Sequence, residues 1–346
     1  MSKLKLAVIY GGQSTEHDIS IKSATSIVNA LDRSKYEISL IKIDKDGTWN
    51  TMSGDAINTA ERIAPITLVK DKDQTKIFNL TTNSFDQNID IAFPVLHGMQ
   101  GEDGTIQGLF RMLDLAFVGC DVFASSACSD KDYCKRLLQD QGIEIAPYRV
   151  AYTWNKDDFD FTTLKKELGT PMFLKPANLG SSVGVHKVNT EEEYNAGLAD
   201  AFKYDNKVLI EKNIEGIEVE CAVIGNEAPK ASILGTIIPS TSFYSFESKY
   251  EDADGALLQM PAEIEPAIAD KIRKDAVKAY RIMNCEGLSR VDFFLTKDGQ
   301  TIINEINTIP GFTSISMYPK LWELSGLPYV ELLDCLIDLG MERSKR

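Results

Sequence analysis

Arg290-Val291-Asp292-Phe293-Phe294-Leu295-Thr296, Lys297-Asp298-Gly299-Gln300 and Thr301-Ile302-Ile303-Asn304-Glu305-Ile306-Asn307 alternate apolar and polar residues about a central Asp-Gly pair. Asp298-Gly299 predicts a β-hairpin with a two-residue turn, because a type I′ turn needs positive φ at both central positions. That turn sets the register. Paired residue numbers then add to one constant, which puts Asp292 opposite Glu305 and Arg290 opposite Asn307, all on one face. Val291, Phe293, Leu295, Ile302 and Ile306 form the other face, which belongs to a core.

Two carboxylates across a ladder stand about 5 Å apart at Cβ and repel unless something cationic lies between them. A hard divalent cation meets that need. Oxygen ligands from Asp, Glu and Asn suit magnesium, which takes further ligands from water and substrate phosphates. An incidental solvated polar face is the alternative, and it is the better reading for a single exposed carboxylate. It is the weaker one here, because four functional groups converge beside the Pro310-Gly311 turn.

The remainder of the chain bounds the function. A length of 346 residues predicts two or three domains. Hydrophobic residues at 43% and charged residues at 25% are ordinary for a globular protein. A net charge of −14 opposes unassisted binding to nucleic acid or to an anionic membrane. Any ATP site must therefore concentrate positive charge locally. No apolar run approaches the ~20 residues of a membrane span, and the N-terminus enters a strand instead of a signal peptide, so a cytoplasmic protein is expected. The six cysteines show no CxxC spacing and no pairing with the three histidines, which predicts reduced, mostly buried thiols.

From the N-terminus, an apolar strand over residues 3–10 ends in Gly11-Gly12-Gln13-Ser14, and Ile21, Ala24, Ile27, Val28 and Leu31 recur at helical spacing. Strands follow over 36–43 and 89–96, then an amphipathic helix with Ile106, Leu109, Phe110 and Leu113. This order predicts a parallel sheet covered by helices, with its site at the strand C-termini. Gly11-Gly12 lacks the GxGxxG spacing of a dinucleotide turn. The turn is instead expected to present Glu16 and His17 to a small ligand. Past the third strand, His97-Gly98 and Gly101-Glu102-Asp103-Gly104 mark tight backbone, where His97 is read as a positioning group more readily than as a base.

A helix is expected from Lys131, a strand from Pro147 to Tyr152, a helix over 161–168 stopped by Gly169, and a strand over 172–176 that carries Lys175. Residues 178–185 form a glycine and serine turn whose backbone N–H groups can approach phosphate. A plain hairpin connection would be preferred for that turn if Lys131, Lys175 and the acidic hairpin were absent. Thr190 to Glu193 is a capping box. Residues 208–212 read as a strand whose exposed backbone could pair with an adenine edge, and 217–224 as a half-buried strand carrying Glu218 and Glu220. Residues 240–260 lack a period and contain Phe243, Tyr244, Phe246 and Tyr250, which predicts a long aromatic lid.

Taken together, these motifs resemble the D-alanine:D-alanine ligases of the ATP-grasp superfamily over nearly the whole chain. The matching segments, in order, are Gly11 to Glu16, His97-Gly98 with Gly101 to Gly104, Lys175-Pro176 with Gly180 to Gly184, and Glu247-Ser248-Lys249-Tyr250. Arg290-Val291-Asp292, Glu305-Ile306-Asn307 and Pro310 to Ser314 complete the match. The resemblance implies mixed α/β and α+β architecture, with a Rossmann-like N-terminal domain over 1–128. A central ATP-grasp domain over 129–217 and a C-terminal ATP-grasp domain over 218–346 would follow.

It implies a ligase that joins two D-alanines for peptidoglycan at the expense of ATP. Lys131 and Lys175 would contact ATP phosphates, with Ser181, Ser182, Val183 and Gly184 closing over them and Lys249 nearby. Glu211, Lys212 and Ile214 would hold adenine, and Glu218 the ribose. Asp292, Glu305 and Asn307 would ligate two Mg²⁺ ions, for which Mn²⁺ could substitute, with Glu305 bridging. Glu16 would pair with the first substrate's ammonium, and Ser181 would link Glu16 to Tyr250. His97 would lie by the substrate. Arg290 and the Gly311 N–H would hold the oxyanion, and Ser316 with the N–H of Met317 would receive the second substrate's carboxylate. A homodimer is the family expectation. Tyr250 and Lys249 resemble the dipeptide-forming ligases more than those that make D-alanyl-D-lactate. D-serine or D-lactate as acceptor, and a nucleotide sensor with a vestigial site, are the competing readings.

Overall fold

The structure, a computed structural model, describes residues 3–239, 256–313 and 315–346. Lys249 and Tyr250, and with them most of the expected lid, lie outside the described residues.

Among the described residues the strands form three sheets. The first is built from β1 (Leu4–Gly11), β2 (Tyr36–Ile43), β3 (Trp49–Met52), β4 (Arg62–Asp71), β5 (Gln74–Asn79), β6 (Ser84–Ile89), β7 (Ile91–Val95) and β8 (Ala116–Phe117). Helices α1 (His17–Ala30), α2 (Thr105–Met112), α3 (Val122–Ser129) and α4 (Lys131–Asp140) accompany or follow it. Strands β2, β1, β7 and β8 run parallel, as expected, and β1 is a continuous apolar run because helices cover both its faces. The sheet is nevertheless mixed. Strands β3 to β6 extend it as antiparallel hairpins that the periodicity of a parallel fold did not anticipate.

The second sheet has the order β11-β10-β12-β9, from β9 (Tyr148–Tyr152), β10 (Met172–Pro176), β11 (His186–Val188) and β12 (Lys207–Lys212). Its helices are α5 (Phe161–Leu168), which Asp160 caps at the N-terminus, and α6 (Glu191–Ala201), which Thr190 and Glu193 cap reciprocally. One core, running from Ala151 to Ile210, serves this sheet alone.

The third sheet, β15-β14-β13-β16-β17, is wholly antiparallel. It comprises β13 (Gly216–Ile224), β14 (Lys230–Pro239), β15 (Ala256–Gln259), β16 (Leu288–Thr296) and β17 (Thr301–Asn307), with α7 (Pro266–Ile282), α8 (Met317–Leu324) and α9 (Tyr329–Arg343). Residues 256–259 were expected in the lid loop. Pairing with Thr236 to Pro239 makes them a strand instead.

A single core joins the first and third sheets. Val8, Tyr10, Phe93 and Val118 pack with Ala222, Phe312, Tyr318, Trp322 and Leu336. Arg343 closes the joint from α9, donating to the carbonyls of Phe117 and Gly119. Sheets one and three thus form a fixed base. The second sheet, with its own core, stands over it.

Candidate active site

The hairpin holds the expected pairs by a different route. Arg290 lies opposite Asn307 and Asp292 opposite Glu305, but the register shifts by one residue beyond Asp292, where Phe293 faces Ile303 and Leu295 faces Thr301. The turn is accordingly a three-residue loop, Lys297-Asp298-Gly299, in which Gly299 alone has positive φ, at +83°. That geometry needs one left-handed residue, not the two of type I′. An extra residue at Asn304, a β-bulge, then restores the register at Glu305. The bulge also corrects the assignment of faces. Ile303 joins Val291, Phe293 and Ile306 in one core cluster, whereas Ile302 faces Phe294 and is buried outside that cluster.

On the polar face, Arg290 grips Asp292 through Nε and Nη2 at 2.7 Å each, and its Nε stands 3.1 Å from Glu220 Oε2. Asn307 Nδ2 donates to Asp292 Oδ2 at 2.9 Å. Burial disfavours the guanidinium charge, yet Asp292 and Glu220 outweigh it and raise the Arg290 pKa further. The cation that the like-charge argument called for is therefore present in the protein itself. Two carboxylates and an amide on one face remain a hard-oxygen set that fits a divalent cation such as Mg²⁺.

Across from this face, Lys175 Nζ donates to Glu211 Oε1 at 2.9 Å and to Asn304 Oδ1 at 3.4 Å, a contact the bulge provides. Lys135 Nζ takes Glu211 Oε2 at 2.9 Å. Burial would raise the Glu211 carboxyl, but Lys135 and then Lys175 hold it down at about 2. Lys131, the first residue of α4, donates to the Leu179 carbonyl at 2.6 Å and stands 3.9 Å from Glu305. One lysine thus touches both the glycine and serine turn and the hairpin.

That turn carries Ser181 and Ser182 at φ of +52° and +60°. Left-handed backbone at two successive serines is strained and clusters at functional sites. Val183 N–H closes onto the Gly180 carbonyl at 3.2 Å. Ser181 Oγ donates to Glu16 Oε1, so the second sheet reaches the loop after β1. His17, expected beside Glu16 in the ligand site, instead turns inward to the Gly12 carbonyl at 2.6 Å. As the first residue of α1, it lies on the helix face that packs on β1.

His97 is buried, with Nδ1 3.0 Å from the Ile309 carbonyl and Nε2 3.1 Å from Ser23 Oγ. Burial lowers its pKa and Glu102 more than offsets this, for a net rise. Ser23 Oγ also accepts from Phe312 N–H at 3.3 Å, which ties α1 to the loop of Gly311. A Cβ at Gly311 would come 2.9 Å from Ser316 Oγ, so a larger residue there would displace the Ser316 hydroxyl. Ser316 stands at the N-cap position of α8, but its Oγ turns back to accept from Thr313 N–H at 3.0 Å and makes no bond to the helix. Met317 buries its side chain against Gly235, leaving its N–H at a helix N-terminus, where anions are favoured.

The adenine residues need one correction. Strand β12 is paired on both sides, with β10 and β9, so residues 208–212 have no free edge. Even the Lys212 N–H is taken, by the Pro147 carbonyl at 2.9 Å. In the loop that follows, Ile214 is half-buried, and Glu218 lies half-buried on β13. Four residues of the site escaped the sequence reading. Lys135 follows Lys131 at helical spacing and Glu220 follows Glu218 at strand spacing, so both had a signal; Asn304 and Ser23 had none, since a bulge and a helix-to-loop bond are tertiary features.

Residues 137–338 match the family model "D-ala D-ala ligase C-terminus" and residues 5–120 the model "D-ala D-ala ligase N-terminus". The chain is 47% identical to a D-alanine–D-alanine ligase of Proteus mirabilis, covering 100% of this chain and 97% of that protein. It is 49% identical to one of Oceanobacillus iheyensis, with coverage of 99% and 97%. Among solved structures, the D-alanine-D-alanine ligase from Coxiella burnetii superposes with a TM-score of 0.89 at 38% identity, covering 100% of this chain and 96% of that one. The VanG D-Ala:D-Ser ligase from Enterococcus faecalis gives 0.88 at 33%, with coverage of 98% and 100%.

Proposed function

The chain belongs to the D-alanine:D-alanine ligase family, and on that premise we propose that it joins two D-alanines into D-alanyl-D-alanine for peptidoglycan, converting ATP to ADP and phosphate. One observation carries the reading. Arg290, Asp292, Asn307 and the bulged Asn304 converge on one hairpin face opposite Lys175 and Lys131, which is a cationic and hard-oxygen site in a protein of net charge −14.

A carboxylate is a poor acyl donor because oxide would have to leave. An oxygen of the first D-alanine therefore attacks the γ-phosphorus, ADP departs, and an acyl phosphate forms. Lys131, Lys175 and the turn of Ser181, Ser182 and Val183 hold the phosphates in line, and such positioning supplies much of the acceleration. Glu16, oriented by Ser181, pairs with the first ammonium, and His97 and Ser23 fix the Gly311 loop beside it. The free amine of the second D-alanine attacks the acyl carbon. Arg290 and the Gly311 N–H then hold the oxyanion, donors typically worth a few kcal/mol each. Phosphate leaves with the oxygen it gained, the amine proton goes to solvent, and Ser316 with the Met317 N–H holds the second carboxylate.

Two Mg²⁺ ions, or Mn²⁺ in their place, would be held by Asp292, Glu305 and Asn307 and would neutralise charge on the transferring phosphoryl group. Ile214, in the loop after β12, is assigned to adenine, Glu218 to ribose, and Lys249 and Tyr250 to the closing lid. A homodimer acting in the cytoplasm, with domains bounded at 128/129 and 217/218, completes the proposal. The separate core of the second sheet supports setting the central domain apart, while α4 packs with the third sheet. No described helix is long and apolar enough to cross a membrane.

The test is direct. Protein with ATP, Mg²⁺ and D-alanine should release phosphate and dipeptide one for one, and D-alanine should outcompete D-serine and D-lactate as acceptor. Turnover with L-alanine alone, or none, would refute the proposal.

A further inference from the structure

Beneath the proposed nucleotide site lies one lysine that this chemistry leaves without a task. Lys135 stands one turn after Lys131 on α4, its side chain 3% exposed, and its Nζ lies 2.9 Å from Glu211 Oε2 and 5.9 Å from the centre of the Tyr148 ring. Lys175 holds the other carboxylate oxygen at 2.9 Å. The nearby Asp132 is already engaged, by Arg136 at 2.7 Å and Lys207 at 3.6 Å. One buried carboxylate thus serves two buried ammonium groups, and the triad carries a net charge of +1. Burying a further cation is costly unless its charge is used, and a Lys175–Glu211 pair alone would have been neutral.

We propose that Lys135 is a positioning residue for ATP: by occupying Glu211 Oε2, it keeps Glu211 from cancelling Lys175, so that the surplus positive charge of the triad faces the nucleotide phosphates. Lys175 then has Glu211 and Asn304 as anchors on one side and donates toward phosphate on the other. The inference rests on the ligase reading. Wild-type protein that neither binds nor turns over ATP would sink that reading, whereas the present inference fails only through the variants, with wild type active.

Binding of ATP and of AMP is measured by calorimetry on wild type, Lys135→Met, Lys135→Arg and Lys135→Met/Glu211→Gln, alongside the KM values for ATP and D-alanine. Lys135→Met should lose about tenfold or more in ATP affinity, as loss of one buried charge near a polyanion requires, and much less for AMP. Its KM for ATP should rise while that for D-alanine stays put. Lys135→Arg should bind ATP within about threefold of wild type, and the double variant should regain part of the affinity that Lys135→Met loses, because removing both charges returns the triad to +1. Unchanged ATP affinity in Lys135→Met, equal losses for ATP and AMP, or a double variant as weak as the single one would overturn the proposal. Should Lys135→Met fail to fold, Lys135→Arg decides, and a tenfold loss of ATP affinity in that charge-preserving variant overturns the proposal.

Discussion

Arg290 clasps Asp292, its neighbour two positions along the same strand, with two hydrogen bonds of 2.7 Å. The aspartate is therefore neutralised before any metal arrives, and its loss should cost function far more than fold. Asp292→Asn keeps the hydrogen-bonding shape and is expected to lose about a hundredfold or more in kcat/KM. Phosphate-release kinetics check the rate, and circular dichroism should show the same folded spectrum. A variant that unfolds would make the pair structural.

The loop at Gly299 separates the observed hairpin from the one its Asp-Gly pair advertises. Only Gly299 has positive φ, so Gly299→Ala should destabilise the protein by about 1 kcal/mol. Asp298→Ala, at a position with ordinary φ, should stay within about 0.5 kcal/mol in urea denaturation. Equal and substantial losses would restore the type I′ turn.

Glu211 gives the fold an acid-sensitive joint. Burial raises its pKa, Lys135 and Lys175 more than reverse that, and the carboxyl falls from an ordinary 4.5 to about 2. A depressed pKa contributes stability that is complete above the unfolded value and disappears as pH drops through about 4.5 towards 2. The stability difference between wild type and Glu211→Gln should therefore shrink by roughly 3 kcal/mol over that window, read from urea midpoints. A difference independent of pH would show that the two lysines do not govern this carboxylate.

Ser181 donates to Glu16 across two sheets that are otherwise built on separate cores. Ser181→Ala should raise KM for the first D-alanine several-fold, since the carboxylate loses the bond that aims it. Thermal stability should hardly move, because the bond lies outside both cores. Equal effects on ATP and D-alanine would argue for a general role in closing the turn.

Much of this site was legible in the chain, although not always for the right reason. Asp292 and Glu305 do face each other, because an unexpected three-residue loop and an unexpected bulge at Asn304 displace the register in opposite directions. Local pattern specified the strand ends that carry Lys175 and Arg290, since alternation and glycine stops are local physics. It could not specify β3 to β6, whose burial depends on the edge of a sheet assembled elsewhere. Nor could it show that residues 208–212 lack a free edge, which follows from β9 arriving on the far side of β12.

The central claim is that ATP activates a carboxylate as an acyl phosphate, and isotope transfer reads that bond directly. With D-alanine labelled by ¹⁸O in both carboxyl oxygens, one labelled oxygen should appear in each phosphate released with dipeptide. Dipeptide formed alongside unlabelled phosphate would contradict the account.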